Sequence, residues 1–169
     1  MKKSAVRPKR GGSPPRPGNR QPILTQSKRK GELVELAFAY KATGLGFGVS
    51  KPYGDSERFD FIVSSGPRLW RVQIKATYKP GIHGYVVHAY GTTQRGSAMY
   101  TRDQIDFVVA YLVPENIWYI IPIEAVGARS SLYFYPEGSQ KGFCRYEKYR
   151  EAWWLMKAKR RMSVAKSPR

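Results

Sequence analysis

Cysteine is almost absent. Cys144 is the only one, and a single thiol cannot close an intrachain disulfide, which excludes a disulfide-stapled scaffold. Histidine is nearly as scarce: His83 and His88, with no Cys-x-x-Cys pair, are too few to furnish a zinc centre. No apolar run is long enough to cross a bilayer. The most apolar stretch, Ile105–Pro122, is interrupted by Asp106, Pro114, Glu115 and Asn116 and reads as two strands and a turn, so no membrane role is expected. The basic start of the chain is not followed by an apolar segment, so no secretory signal is expected and the cytoplasm is the expected location. There is no P-loop and no nucleophile elbow. Acid is short as well, with 12 Asp and Glu against 30 Lys and Arg.

The placement of the resulting charge of +18 matters more than its size. Residues 1–30 carry ten Lys or Arg and no acid, and residues 157–169 carry six and no acid. Between them, fourteen basic residues face twelve acidic ones, so the middle is close to balanced. Basic ends on a balanced middle are the electrostatic pattern of a polyanion binder. The ends lack the interleaved aromatic and long apolar residues that a membrane surface would require.

Residues 1–27, rich in Pro, Gly, Ser and Arg, bury little and read as a disordered tail; residues 160–169 read as a basic C-terminal tail. The chain is 41% hydrophobic, enough for a core, and residues 28–159 read as one domain. A helix is expected over Lys28–Thr43 with Leu33, Leu36, Ala37 and Tyr40 on its apolar face, ended by Gly44 and Gly46. Strands are expected over Phe47–Ser50, Arg58–Ser64, Leu69–Thr77 and Tyr85–Tyr90. A polar loop is expected over Gly91–Ser97 and a helical turn over Tyr100–Gln104. A hairpin of Asp106–Val113 and Trp118–Ile121 turns at Pro114-Glu115-Asn116, and a short strand covers Ser131–Tyr135. Glu147–Arg161 is expected to be a second helix. The order gives an α/β fold with a central, mostly antiparallel or mixed sheet flanked by helices.

Two of these strands carry polar residues that a core does not need. In Arg58-Phe59-Asp60-Phe61-Ile62-Val63, alternation puts Phe59, Phe61 and Val63 on one face and Asp60 with Ile62 on the other. In Leu69-Trp70-Arg71-Val72-Gln73-Ile74-Lys75-Ala76, Val72, Ile74 and Ala76 share one face, and Arg71, Gln73 and Lys75 share the opposite one. A carboxylate, an amide and an ammonium thus project from strands joined by the turn at Ser65-Gly66-Pro67. Charge on half-buried strands costs several kcal/mol, roughly, unless it is paired or used. A solvated edge hairpin accounts for Gln73 and Lys75 taken alone. The full set includes a helix glutamate upstream, Asp60, and Gln-x-Lys thirteen residues after it.

That set resembles the PD-(D/E)XK nuclease superfamily, whose pattern is a helix with Glu, a strand with Asp, and a following strand with Glu-x-Lys or Asp-x-Lys. The matching residues are Glu35, Asp60, and Gln73 with Lys75. Gln73 departs from the usual acid and is similar to a bacterial branch that includes a homing endonuclease encoded in a group I intron. Lys30-Gly31-Glu32-Leu33-Val34-Glu35, Pro52-Tyr53-Gly54 and Trp70-Arg71-Val72-Gln73-Ile74-Lys75-Ala76-Thr77 carry that likeness, over roughly residues 30 to 126. Glu32 competes with Glu35 for the helix carboxylate, and Glu35, one turn further in, is the preferred residue.

The resemblance implies a restriction-endonuclease-like core and a Mg²⁺-dependent endonuclease acting on DNA, with double-stranded DNA favoured and Mn²⁺ as a substitute ion. Asp60, Glu35 and Gln73 are the expected metal ligands, with Lys75 at the reacting phosphate. Mg²⁺ prefers oxygen ligands, which these residues supply. Lys28, Arg29, Lys30, Arg71, Arg95, Lys159, Arg160 and Arg161 are the expected contacts to nucleic acid. Two scissions per duplex imply a homo-oligomer, a dimer or a tetramer. The alternative is a nucleic-acid-binding protein without catalysis on a nuclease-like fold. Deleting residues 1–27 and 160–169 removes eleven basic residues. If half of them sit on phosphates, the slope of log K against log salt for duplex DNA flattens by about five units. A binding series over salt measures it, and an unchanged slope would show that the ends leave DNA alone.

Overall fold

The computed structural model describes residues 26–54, 56–82, 84–93, 96–138 and 144–158. Helix α1 (Gln26–Gly44) leads into β1 (Gly48–Ser50), β2 (Phe61–Ser65) and β3 (Arg68–Thr77). Next come β4 (Tyr85–His88), β5 (Tyr90–Thr93), β6 (Gly96–Met99), β7 (Phe107–Leu112) and β8 (Ile117–Pro122). The short helix α2 (Ile123–Val126), β9 (Ser131–Phe134) and 3-10 turns at Glu147–Tyr149 and Trp153–Met156 complete the order. No helix is long and apolar enough to cross a membrane among the described residues.

The central sheet runs β1-β2-β3-β7-β8, and β3 and β7 pair in parallel while the other neighbours are antiparallel. Parallel neighbours need a crossover connection. The crossover here carries β4, which pairs with β9, and the β5–β6 hairpin. The expected polar loop at Gly91–Ser97 is therefore a two-stranded ribbon, with Gly91 opposite Ala98 and Thr93 opposite Gly96. Its polar, glycine-containing sequence has no apolar alternation to announce a strand. Gly91 suits the ribbon because a Cβ there would lie 2.8 Å from the Tyr100 hydroxyl.

Strands β7 and β8, the latter at the end of the sheet, are buried on both faces because the sheet is covered on both sides. Phe107, Val109, Trp118 and Ile120 enter one core with α1, and Val108, Ala110, Leu112, Tyr119 and Ile121 enter the other with β4 and β9. Helix α1 thus flanks the first face; the short α2, the β4–β9 ribbon and the segment around Tyr146 cover the second.

Helix α1 turns a different stripe inward from the one expected. Val34, Phe38 and Ala42 are buried, while Leu33, Leu36 and Tyr40 are 57%, 66% and 84% exposed. Both stripes have helical spacing, so periodicity does not choose between them. Phe38 decides: its ring lies 5.4 Å from Phe61, 5.8 Å from Trp153 and 6.0 Å from Trp118.

The expected helix at Glu147–Arg161 is replaced by the two 3-10 turns, and residues from 159 on lie outside the described set. Glu151 interrupts it at φ 48°, a left-handed conformation that costs a side-chain-bearing residue about 1 kcal/mol. Four polar contacts hold it there. Its N–H donates to Trp118 O at 2.7 Å, its carboxylate accepts from Trp118 N (2.9 Å) and Trp153 Nε1 (2.8 Å), and Lys41 pairs with it at 3.6 Å. Phe38→Ala empties the aromatic cluster and should cost about 3–5 kcal/mol, whereas Leu36→Ala should stay within about 0.5 kcal/mol. Urea unfolding of the two variants measures both, and the reverse ranking would put the wrong stripe inside.

Candidate active site

The site exists because β2 is shorter than β3. The antiparallel pairing ends at Phe61 opposite Val72, while β3 continues to Thr77 along β7. Beyond Val72 the edge of β3 that faced β2 needs new partners, since a buried backbone donor left unpaired is costly. Asp60, just before β2, supplies one. Its N–H bonds Val72 O at 2.9 Å, and its side chain turns onto β3. There Oδ2 accepts from the Ile74 N–H and from Gln73 Nε2, each at 2.7 Å. The bend at Asp60 also separates Phe59 from Phe61 and Val63: Phe59 packs against the second core and the other two enter the first.

Gln73 is the buried polar residue among those described, at 8% exposure. A buried amide must be hydrogen-bonded. Its Nε2 does so twice, to Asp60 and to Ile74 O at 3.3 Å. Both amide donors being spoken for, Oε1 is the atom that Gln73 has left to offer.

Helix α1 passes over this gap. Glu35, Asp60, Gln73 and Lys75 line one cleft of about 400 Å³, together with Lys30 and Tyr78. Glu32 does not line it; it faces a neighbouring groove that Glu35 and Lys51 share. The Glu35 carboxylate is paired with Lys51 Nζ at 2.5 Å. Lys75 Nζ lies 5.5 Å from the centre of the Tyr100 ring, which Arg58 also faces at 4.9 Å. Burial pushes the Asp60 carboxyl above its ordinary range. The Ile74 N–H opposes that shift, Glu35 adds to it, and Lys75 and Gln73 act against it.

Of the residues expected to meet nucleic acid, Lys28, Arg29 and Lys30 lie exposed in the first turns of α1, and Lys30 reaches the cleft. Arg71 does not. Its guanidinium bonds Asp106 at 3.0 and 3.2 Å, Arg102 O at 2.8 Å and Asp103 O, bracing the approach to β7. Asp106, at the start of the expected strand, is the acceptor of that clamp. Arg95, Lys159, Arg160, Arg161 and His83 lie outside the described residues. Tyr78 and Lys51 were not anticipated. Tyr78 bonds Lys30 O at 2.8 Å and holds the Lys30 ammonium 4.9 Å from its ring, pinning α1 to the end of β3. The spacing Lys75-x-x-Tyr78, just past the strand, is the sequence signal that pointed there.

The sequence model of the PD-(D/E)XK endonuclease family matches residues 25–156. The chain belongs to this family. Its core is restriction-endonuclease-like, and it is a nuclease of the branch to which homing endonucleases belong. Among solved structures it is similar to the bacterial homing endonuclease I-Ssp6803I at 28% identity and a TM-score of 0.70, over 78% of this chain and 93% of that one. It is also similar to MepB at 9% identity and a TM-score of 0.40, over 73% and 93%, a likeness too slight to bear on the fold. No curated relative matches the chain.

The family's divalent metal can be tested against the donors present. Among the described residues no three His, Cys, Asp or Glu side chains gather at metal-holding distance. The cleft offers two carboxylates and an amide oxygen, an all-oxygen set that suits a hard divalent cation but carries at most two negative charges. The residues fit such an ion.

The raised Asp60 carboxyl gives a stability signature. A carboxylate that ionises less readily folded than unfolded costs stability as pH rises through its folded value. Asn at this position cannot ionise and still accepts from Ile74 N. In EDTA, Asp60→Asn should therefore melt above the parent near neutral pH, and the gap should close as pH falls below the ordinary carboxylate range. Thermal unfolding against pH measures it; an Asn variant that melts lower at every pH would contradict the burial cost.

Proposed function

We propose that the chain is a divalent-metal-dependent endodeoxyribonuclease that hydrolyses phosphodiester bonds of duplex DNA, with Mg²⁺ as the working ion and Mn²⁺ able to replace it. The observation that carries this is the convergence of Glu35, Asp60, Gln73 and Lys75 on one cleft at the point where β2 leaves β3. When bound, a Mg²⁺ ion supplies Lewis-acid stabilisation of the phosphate and a more acidic water. Asp60, Glu35 and the Gln73 Oε1 are the ligands proposed to hold it.

Asp60 is fixed by two donors on Oδ2, so its other oxygen is presented with little freedom left to lose. Glu35 reaches the cleft from the helix, where its pairing with Lys51 keeps it aimed. Lys75, between Asp60 and the Tyr100 ring, orients the attacking water and stabilises negative charge on the phosphate. Lys30 adds a second ammonium at the mouth of the cleft.

Cutting both strands of a duplex favours a dimer or tetramer with paired sites. The exposed Leu36 and Tyr40 on α1 offer apolar surface for it.

Supercoiled plasmid incubated with Mg²⁺, Mn²⁺ or EDTA tests the proposal. Nicking should require the ion. Lys75→Ala should slow it by about 10²–10⁴-fold, the range for a positioned proton-transfer group. Asp60→Ala should slow it at least as much while the fold is retained. Full activity in EDTA, or in either variant, would overturn the assignment.

A further inference from the structure

A second concave site lies on the other side of the sheet, in the core built around β4, β9 and Tyr146. It has about 390 Å³ and is lined by Arg129, Ser131, Tyr133, Tyr135, Arg145 and Tyr146, none of which belongs to the cleft of Asp60. Two guanidinium-bearing residues and three tyrosines line it with no carboxylate. Glu147, next to Tyr146 in sequence, has its oxygens engaged by Arg150 at 3.0 Å and the Tyr119 hydroxyl at 3.1 Å.

Tyr146 is only 3% exposed, and its hydroxyl is out of water with no hydrogen-bond partner among the described residues. A buried hydroxyl without a partner costs about 1–3 kcal/mol, so a group at this place in the fold asks for an acceptor. Both Arg129 and Arg145 act electrostatically on that hydroxyl, which sets the two cations near it. Tyr133 is 48% exposed. Tyr135 lies against Gly84, where a Cβ would come within 2.8 Å of its ring, so the ring has a fixed backing.

We infer that this cleft binds one unpaired nucleotide of single-stranded DNA, its phosphate on Arg129, Arg145 and the Tyr146 hydroxyl and its base on the ring of Tyr133 or Tyr135. Arginine pairs suit phosphate oxygens, and tyrosine rings stack on bases whose faces a duplex would hide. The volume suits one small ligand, not a duplex. The choice of DNA rests on the proposed nuclease function, but the binding itself needs no cleavage and is measured in EDTA.

The experiment uses the full chain in EDTA and a single-stranded oligonucleotide carrying 5-bromodeoxyuridine, irradiated and mapped by mass spectrometry. Adducts are expected on Tyr133 or Tyr135, and they should fall at least tenfold in Arg129→Ala/Arg145→Ala but less than twofold in the charge-matched Lys79→Ala/Lys148→Ala. Tyr146→Phe, which keeps the ring, should retain the melting temperature and lower the adduct yield severalfold, a readout that guards against misfolding of the arginine variant. Excess dTMP separates two sources of the same chemistry: competition shows that a free nucleotide suffices, and resistance shows that the strand is needed. Asp60→Ala should keep the adducts, so a failed cleavage assay leaves this result standing. Adducts confined to the basic ends or the Asp60 cleft, or unchanged in both Arg129→Ala/Arg145→Ala and Tyr146→Phe, would overturn the inference.

Discussion

One carboxylate oxygen joins the fold to the chemistry. Asp60 Oδ2 accepts from the Ile74 N–H and the Gln73 amide where β2 parts from β3. Without it the uncovered edge of β3 would have a buried backbone donor unmet, and Gln73 would lose the shorter of its two acceptors. With it, a burial-penalised acid is locked at the one gap in the sheet that α1 can overlook. Everything else in the cleft is arranged around that fixed point: Glu35 above it from the helix, and Lys75 one alternation along β3 from Gln73. The raised carboxyl is the thermodynamic cost of the arrangement.

Gln73 changes the balance of charge. A third carboxylate in its position would sit against Asp60 with no amide donor to offer, adding repulsion in a poorly hydrated place. The amide instead stabilises ionised Asp60 by donation and retains an oxygen. The same substitution limits the negative charge available to a cation, so the two roles trade against each other. On the proposed function, a nuclease built this way would bind its ion less tightly and depend more on the geometry that Asp60 fixes.

What the sequence made legible follows from how local each signal is. Asp60, Gln73 and Lys75 stand out because ionisable and amide side chains interrupt apolar strands, and alternation alone places Gln73 and Lys75 on one side. Glu35 was separable from Glu32 by position along the helix, and the cleft takes Glu35. The inward stripe of α1 was not legible, because Leu33-Leu36-Tyr40 and Val34-Phe38-Ala42 have equivalent periodicity and only the aromatic cluster of Phe61, Trp118 and Trp153 distinguishes them. The C-terminal segment misled for a similar reason. Its composition suits a helix, but bonds from Glu151 to Trp118 of β8, 33 positions away, hold a left-handed residue in its middle. Arg71 read as a phosphate contact because a cation on a strand is anonymous until its acceptor is known, and the acceptor, Asp106, lies 35 positions away.

The distribution of cations completes the argument. The folded middle of the chain is nearly neutral, so its attraction for a polyanion has to be local. At the cleft, Lys30 and Lys75 lie beside two carboxylates, and Lys51 pairs with one of them from the adjoining groove. Lys30 and Lys75 balance Asp60 and Glu35 in the cleft, and Lys51 balances Glu32 in the adjoining groove, a balance that holds only because Gln73 is neutral. Exchanging that amide for an acid would leave a net negative charge where the proposed function brings a phosphate. The basic ends can raise the concentration of nucleic acid around the domain, but they carry no geometry. On the proposed function, the neutral Gln73 therefore serves the substrate where it cannot serve the metal: it adds no negative charge to repel a phosphate from Asp60 and Lys75.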